Sequence, residues 1–174
     1  MPIATDGVRG ADESNVHGYF ELEAVKRLHE GGGTGDTSWL NAARGSAVKI
    51  VSFLLTWLPE THDYRVIFMR RDLDEIVASQ QTMLARGGDR DEAADAVRLR
   101  ATYSQHLEEV GRFLAKRACF TVLDVDYSQV LEQPRAEAER IRTFTGFPLD
   151  LDAMERAVDR DQYRSRRDVR PSER

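Results

Sequence analysis

The sequence predicts an α/β fold with a mostly parallel sheet, formed as a single domain by residues 1–174. Two apolar runs, at residues 66–69 and 119–127, have the length and composition of buried strands. Segments with the spacing of amphipathic helices follow each of them. Strands that alternate with helices favour a parallel sheet, and a chain of 174 residues is long enough for one core but short for two.

The first third of the chain is predicted to contain short elements after an irregular start. Residues 1–18 are rich in Gly, Asp and Asn, which favour turns over regular structure. The elements predicted next are helices at 21–29 and 39–43, a strand at 47–51 and a helix at 53–58 that Pro59 ends.

The later elements have sharper boundaries in the sequence. Asp72 is a predicted N-cap with Glu75 three residues later, so a helix begins directly after the strand at 66–69. Gly87 and Gly88 then break the chain. The elements predicted after this break are a long helix at 91–117, a strand at 119–127, a helix from Pro134 to Gly146 and a last helix from Asp152 toward Tyr163.

The composition argues against several classes of protein. A net charge of −5 disfavours binding to nucleic acid. No apolar run approaches the roughly 20 residues of a membrane span, and the sequence contains no charged-then-apolar leader pattern, so we expect a cytoplasmic protein without a membrane partner. The single Cys119 and four separated histidines lack the spacing of metal ligands, so no metal site is predicted.

Residues 160–174 form a basic tail with six arginines and three acidic residues. Two interpretations stay open. The arginines are either the solvated end of a helix and its tail, or cations that close over a phosphate of a ligand.

The most informative stretch of the sequence is the junction between the strand at 66–69 and the following helix. Arg70 and Arg71 come where the strand ends, and Asp72 opens the helix. The first turn of a helix presents free N–H groups and the positive end of the helix dipole, so this junction favours a phosphate or sulfate.

This stretch resembles the 3′-phosphate-binding segment of the sulfotransferases that use 3′-phosphoadenosine 5′-phosphosulfate (PAPS). In that family a Ser follows the strand-end Arg by eight residues, and Arg71 and Ser79 match this spacing. The resemblance covers most of residues 4–167, and several of its segments look like those of the small bacterial branch of the family. The further segments that carry it are residues 6–15, 18–21, 48–52 and 141–146, and Tyr127 with Pro134 seven residues later. It implies a three-layer fold of the P-loop NTPase type.

The sequence differs from the family at one essential place. Sulfotransferases begin with a strand and a Lys/Arg-Ser-Gly-Thr loop that holds the 5′-phosphosulfate, and no such loop occurs in the 174 residues. The Gly-rich segment at 31–35 follows a helical pattern and has no Lys before its Thr, so it is interpreted as a flexible linker. We therefore expect the first strand and the loop to be missing, as in a truncated gene product, a product of an internal start codon or a chain without its first third.

The resemblance implies a binding role for four residues. These candidates for contact with PAPS or its product adenosine 3′,5′-bisphosphate are Arg71 and Ser79 at the 3′-phosphate, Arg70 as a second cation and Tyr127 near the adenine. The alternative for Arg71 is a surface ion pair with Asp74 or Glu75. The alternative for the tyrosine is a position in the core.

The catalytic base is less well defined. Many family members use a His at the place where this sequence has Ser52 and Phe53, so that role does not carry over. Glu21 and Glu23 are candidate carboxylate bases, with exposed acids at the start of a helix as the alternative. Arg9 is a candidate for the acceptor pocket, with a salt bridge within the loop as the alternative.

The sequence thus predicts a sulfotransferase-like protein. If the missing loop is supplied, the protein transfers a sulfuryl group from PAPS to a hydroxyl or amine of a small molecule. The alternative is a truncated, non-catalytic domain that binds a nucleotide or a partner. A missing strand would leave apolar strand edges unpaired, so a homodimer is the expected assembly.

Overall fold

A computed structural model of the chain describes residues 1–11, 17–30, 35–84 and 92–160. Within these ranges the helices are α1 (Glu23–Lys26), α2 (Trp39–Ala42), α3 (Leu73–Leu84), α4 (Glu92–Ala115), α5 (Tyr127–Glu132), α6 (Pro134–Thr145) and α7 (Leu151–Arg156). The strands are β1 (Tyr64–Arg70) and β2 (Phe120–Asp126), and Ser52–Trp57 forms a 3₁₀ helix. The predicted break at Gly87 and Gly88, the Gly-rich segment at 31–34 and the basic tail after residue 160 lie outside the described residues.

The two strands are neighbours in a parallel sheet, which confirms the predicted α/β class. β1 ends at Arg70 and β2 ends at Asp126. Helix α3 begins three residues after β1, and α5 begins immediately after β2. Both helix starts therefore lie beyond the carboxyl ends of the strands, the edge at which parallel sheets bind ligands.

The strand β1 is less deeply buried than its apolar composition predicts. Phe68 is 8% exposed, whereas Met69 is 47% exposed. The prediction of a strand covered on both faces is thus right for Phe68 and wrong for Met69. An apolar run shows that a strand is suited to burial on both faces. Which of its side chains are buried depends on the elements that pack against each face.

The strand predicted at 47–51 does not form. Ala47 makes an isolated parallel bridge with Ile3, in which Ala4 N–H donates to the Ala47 carbonyl at 2.9 Å and Ala47 N–H donates to the Pro2 carbonyl at 2.8 Å. The four residues after Ala47 have no regular structure. A ladder needs a partner strand along its length, and here the pairing ends after one bridge.

The start of α3 confirms the predicted cap. The Asp72 carboxylate Oδ1 accepts hydrogen bonds from the backbone N–H groups of Asp74 at 2.7 Å and Glu75 at 3.3 Å. This satisfies two of the N–H groups that a helix start leaves without a partner within the helix. The cap fixes the first turn of α3 directly beside Arg71.

Helix α6 begins and ends as predicted, whereas α5 was not predicted. Pro134 occupies the first turn of α6, and Gly146 ends it in the left-handed conformation with φ of 69°. Helix α5 begins at Tyr127 because Asp126 caps it, accepting the Ser128 N–H at 2.7 Å. Tyr127 therefore starts a helix instead of ending a strand. Helix α6 packs against both α5 and α7.

The chain divides into two compact units. The first unit comprises Met1–Tyr64 and Glu109–Thr121, and the second comprises Arg65–Glu108 and Val122–Arg174. The buried apolar residues of the first unit are Val25, Leu28, Leu40, Leu55, Leu58, Val110, Leu114 and Phe120. Those of the second unit are Phe68, Val77, Val125, Leu131, Ala138 and Leu151. Each unit thus has buried apolar side chains of its own.

Candidate functional site

The second unit brings Arg71 and Tyr127 together. Arg71 follows the last residue of β1, and Tyr127 follows the last residue of β2. Because β1 and β2 are parallel neighbours, their carboxyl ends lie side by side. The Arg71 guanidinium carbon lies 5.3 Å from the centre of the Tyr127 ring, within the range of a cation–π contact.

Arg71 also forms an ion pair with the first turn of α3. Its Nε lies 3.2 Å from Glu75 Oε2, and the two side chains are 29% and 10% exposed. The ion pair weighed as the alternative role of Arg71, with Asp74 or Glu75 as its partner, is therefore present. The structure pairs Arg71 with Glu75, while Asp74 Oδ1 accepts from Arg100 Nε at 2.7 Å.

Ser79 lies on the same helix as Glu75, one turn further along. Residues four apart share a face of an α-helix. Ser79 is half-buried in α3, about 6 Å along the axis from the position of Glu75. The face of α3 that meets Arg71 through Glu75 therefore continues to Ser79.

Arg70 makes contacts different from those of Arg71. Its Nε lies 2.6 Å from Asp124 Oδ1 in β2, and its guanidinium carbon lies 4.3 Å from the centre of the Phe68 ring. The backbone carbonyl of Asp124 also accepts from Arg140 Nη2 at 3.3 Å. Arg70 thus joins the two strands, whereas the contacts given above for Arg71 are with Glu75 and Tyr127.

The first unit gathers a cluster of charges around Glu21. Its carboxylate lies 3.1 Å from Lys26 Nζ, 3.6 Å from Arg9 Nη1 and 4.0 Å from Lys49 Nζ. Lys26 Nζ also lies 2.5 Å from Glu23 Oε1. The sequence singled out Arg9, Glu21 and Glu23. Lys26 follows Glu23 at the i,i+3 spacing of a helical ion pair. Lys49 is far from Glu21 along the chain, so the sequence gave no signal that it would join them.

The cations of this cluster lower the pKa of Glu21. The hydrogen bond from Lys26 is the largest cause, and the charges of Lys26, Lys49 and Arg9 add to it. The pKa of Lys26 is raised by its hydrogen bonds to Glu23 and Glu21. Glu21 is therefore ionised near neutral pH, as a proton acceptor must be, but its lowered pKa makes it a weak base.

Arg9 lies against an aromatic ring as well as a carboxylate. Its guanidinium carbon is 3.3 Å from the centre of the Tyr19 ring, and Lys49 Nζ donates to the Tyr19 carbonyl at 2.9 Å. Phe20, next in the chain, has φ of 49°, in the left-handed region that non-glycine residues seldom adopt. The salt bridge weighed as the alternative role of Arg9 is present, as its ion pair with Glu21.

Two absences hold for the described part of the chain. Among these residues no group of three or more His, Cys, Asp and Glu side chains is placed to hold a metal ion. No helix in the same ranges is long and apolar enough to cross a membrane.

A family model described as the sulfotransferase family matches residues 33–151, more than half of the chain. The matched range contains the four candidate nucleotide-binding residues of the second unit. It does not contain the three candidates near the amino terminus of the first unit. The α/β arrangement is consistent with the P-loop-like fold of that family. No curated protein and no solved structure matches the chain.

Proposed function

Since this chain belongs to the sulfotransferase family, we propose that it binds PAPS and supports transfer of the sulfuryl group to a hydroxyl or amine of a small molecule. In this reaction the acceptor oxygen or nitrogen attacks sulfur, and the bond from sulfur to the 5′-phosphate oxygen breaks. Adenosine 3′,5′-bisphosphate leaves with the bonding electrons, and the acceptor proton passes to a base. Catalysis depends on holding the donor in position and on stabilising charge on the bridging oxygen.

One observation carries the assignment of the nucleotide site. The 3′-phosphate and the adenine of one nucleotide are joined through a single ribose, so the residues that bind them must lie close together. Arg71 and Tyr127, the candidates for these two groups, lie within 5.3 Å of each other at the carboxyl edge of the sheet. A basic side chain and an aromatic ring at this edge suit the two ends of such a ligand.

Helix α3 adds to the proposed phosphate site through its first turn and through Ser79. Arg71 supplies the charge and Ser79 a hydroxyl, on a helix of 12 residues whose positive end begins beside Arg71. Arg70 is proposed as a second cation that reaches the ligand from its position on Asp124. Charge-assisted hydrogen bonds of this kind are the strong ones in phosphate recognition.

In the first unit we propose Glu21 as the acceptor of the proton, with Glu23 as the alternative base. Both carboxylates lie within reach of Lys26 Nζ, so a change of charge on one is felt by the other. Arg9 is proposed to contact an acceptor molecule. Its guanidinium lies on the Tyr19 ring, which leaves a flat cation on the surface for a planar or anionic acceptor.

Turnover needs a Lys/Arg-Ser-Gly-Thr loop for the 5′-phosphosulfate, and the 174 residues contain none. We propose that further chain or a second protein supplies it. Without that loop the protein is a nucleotide-binding or partner domain, which is the second candidate function.

Thermal unfolding with two nucleotides tests the proposed site. Adenosine 3′,5′-bisphosphate is expected to raise Tm by mass action, and AMP, which lacks the 3′-phosphate, to raise it much less. Arg71→Ala should remove the difference between the two nucleotides. Arg100→Ala is its matched control, because it removes a neighbouring arginine whose ion pair is with Asp74. Equal shifts from the two nucleotides would contradict the site.

A further inference from the structure

We propose that Glu75 is a positioning residue that holds the Arg71 guanidinium in place for the 3′-phosphate. This inference rests on the proposed nucleotide site. It assigns a role to a carboxylate that would otherwise oppose an anionic ligand, since Glu75 Oε2 lies only 3.2 Å from Arg71 Nε.

The backbone of Glu75 is fixed independently of Arg71. Glu75 is the third residue of α3, and its N–H donates to the Asp72 carboxylate at 3.3 Å. Its side chain is only 10% exposed, whereas that of Arg71 is 29% exposed. The acceptor in this ion pair is therefore the more buried partner, on a capped backbone, and it restrains the more exposed guanidinium.

A restraint on the Arg71 side chain reduces the conformational entropy that remains to be lost when a ligand binds. An arginine loses more rotamer freedom than most residues when it is held in one geometry. Glu75 occupies the Nε edge of the guanidinium while the Tyr127 ring lies 5.3 Å from its central carbon. Two contacts from different elements thus fix the guanidinium before any ligand arrives, which lowers the entropy lost on binding.

The negative charge of Glu75 has the opposite effect, because it repels a phosphate. Two substitutions separate charge from position. Glu75→Gln keeps an oxygen that accepts from Arg71 Nε but removes the charge. Glu75→Ala removes both. A comparison of these two variants therefore isolates the positioning role.

The expected order of affinity for adenosine 3′,5′-bisphosphate follows from this reasoning. Glu75→Gln binds at least as tightly as the wild type, and Glu75→Ala binds about tenfold more weakly than Glu75→Gln, a difference of ~1.4 kcal/mol. AMP should show no such difference between the two variants. If Glu75→Ala binds the bisphosphate within twofold of Glu75→Gln, Glu75 does not position Arg71.

The neighbouring carboxylate provides the matched control. Asp74 lies in the same turn of α3, but its ion pair is with Arg100. Asp74→Asn and Asp74→Ala change the charge of this helix start in the same way. They should bind the bisphosphate equally well, so that a general electrostatic effect of the helix start is told apart from the effect of Glu75.

A second measurement needs no ligand and so separates this inference from the nucleotide site. NMR of arginine side chains reports exchange of the Arg71 Nε–H with water, and Arg71→Lys assigns the signal. The wild type and Glu75→Gln should show a slowly exchanging Nε–H, and Glu75→Ala a fast one. Equal exchange in all three proteins would overturn the positioning role, whether or not the bisphosphate binds.

Discussion

The Arg71 guanidinium lies over the Tyr127 ring, with 5.3 Å between the central carbon and the ring centre. The two residues are far apart in the chain, and each directly follows one of two neighbouring parallel strands. The sheet therefore places a cation beside an aromatic face at its carboxyl edge. The ion pair with Glu75 then ties that cation to the start of α3.

Replacement of Tyr127 should affect the adenine end of the ligand. We expect Tyr127→Ala to weaken AMP and adenosine 3′,5′-bisphosphate together, by roughly 1–3 kcal/mol if the base stacks on the ring. Tyr127→Phe keeps the aromatic face and should bind both nucleotides as the wild type does. Titration calorimetry measures both. A loss confined to the bisphosphate would mean that Tyr127 acts through Arg71 and not on the adenine.

The junction between β1 and α3 was predicted correctly because the sequence patterns that indicate it are local. The apolar strand, the Asp72 cap and the amphipathic helix lie within about 20 consecutive residues, and the ends of α6 at Pro134 and Gly146 are equally local. Whether Asp74 or Glu75 pairs with Arg71 could not be predicted from local sequence, because it depends on a residue distant in the chain. Arg100, on a later helix, pairs with Asp74.

One predicted element is absent and one observed element was not predicted, each for a physical reason. The apolar run at 47–51 suits a strand, but a strand forms only where a partner extends beside it, and Ala47 alone makes a bridge. Helix α5 starts with no break after β2, and its six residues are too few for a clear helical period. The place of Lys49 beside Glu21 likewise depends on folding and not on spacing.

The 174-residue chain alone is expected to transfer no sulfuryl group above background. The 174 residues contain no Lys/Arg-Ser-Gly-Thr run, and in the proposed reaction such a loop holds the 5′-phosphosulfate and stabilises charge on the bridging oxygen. A radiolabelled-sulfate assay against phenols and sugar alcohols measures this. Robust turnover would show that other residues replace the loop.

We expect a homodimer at micromolar concentration. Within the described ranges the sheet has two strands, so β1 has one paired edge there, and Met69 on it is 47% exposed. Apolar strand edges recruit a partner, and a lysine on an edge strand opposes this. Light scattering should give the mass of two chains for the wild type and of one for Met69→Lys.

The control for the dimer is an equally polar change at an exposed apolar residue of a helix. Val97 lies on α4 and is 72% exposed, so Val97→Lys should remain dimeric. A mass of one chain for the wild type at micromolar concentration would rule out the dimer.

Stability should fall in acid partly because of Asp126. The hydrogen bond from Ser128 lowers the pKa of Asp126 below its usual 3.8. A carboxylate with a lowered pKa in the folded state stabilises the fold fully above its unfolded pKa, and this contribution is lost as pH falls through the folded value. Asp126→Ala should cost about 1 kcal/mol at pH 7, the value of a helix N-cap, and less below pH 3.8.

Urea unfolding at a series of pH values measures this deficit. Asp126→Ser is the control, because a serine caps the helix without titrating in this range. A deficit for Asp126→Ala that stayed constant or grew toward low pH would show that the ionised carboxylate is not what stabilises the start of α5.

Binding of the 3′-phosphate by Arg71 is tested most directly by the ratio of two dissociation constants. By titration calorimetry, the wild type and Arg100→Ala should bind adenosine 3′,5′-bisphosphate more tightly than AMP by about 1.5–3 kcal/mol, the value of a hydrogen bond to a charged group. In Arg71→Ala the two nucleotides should bind equally. A preference for the bisphosphate that survives in Arg71→Ala, or is absent from the wild type, would contradict the account.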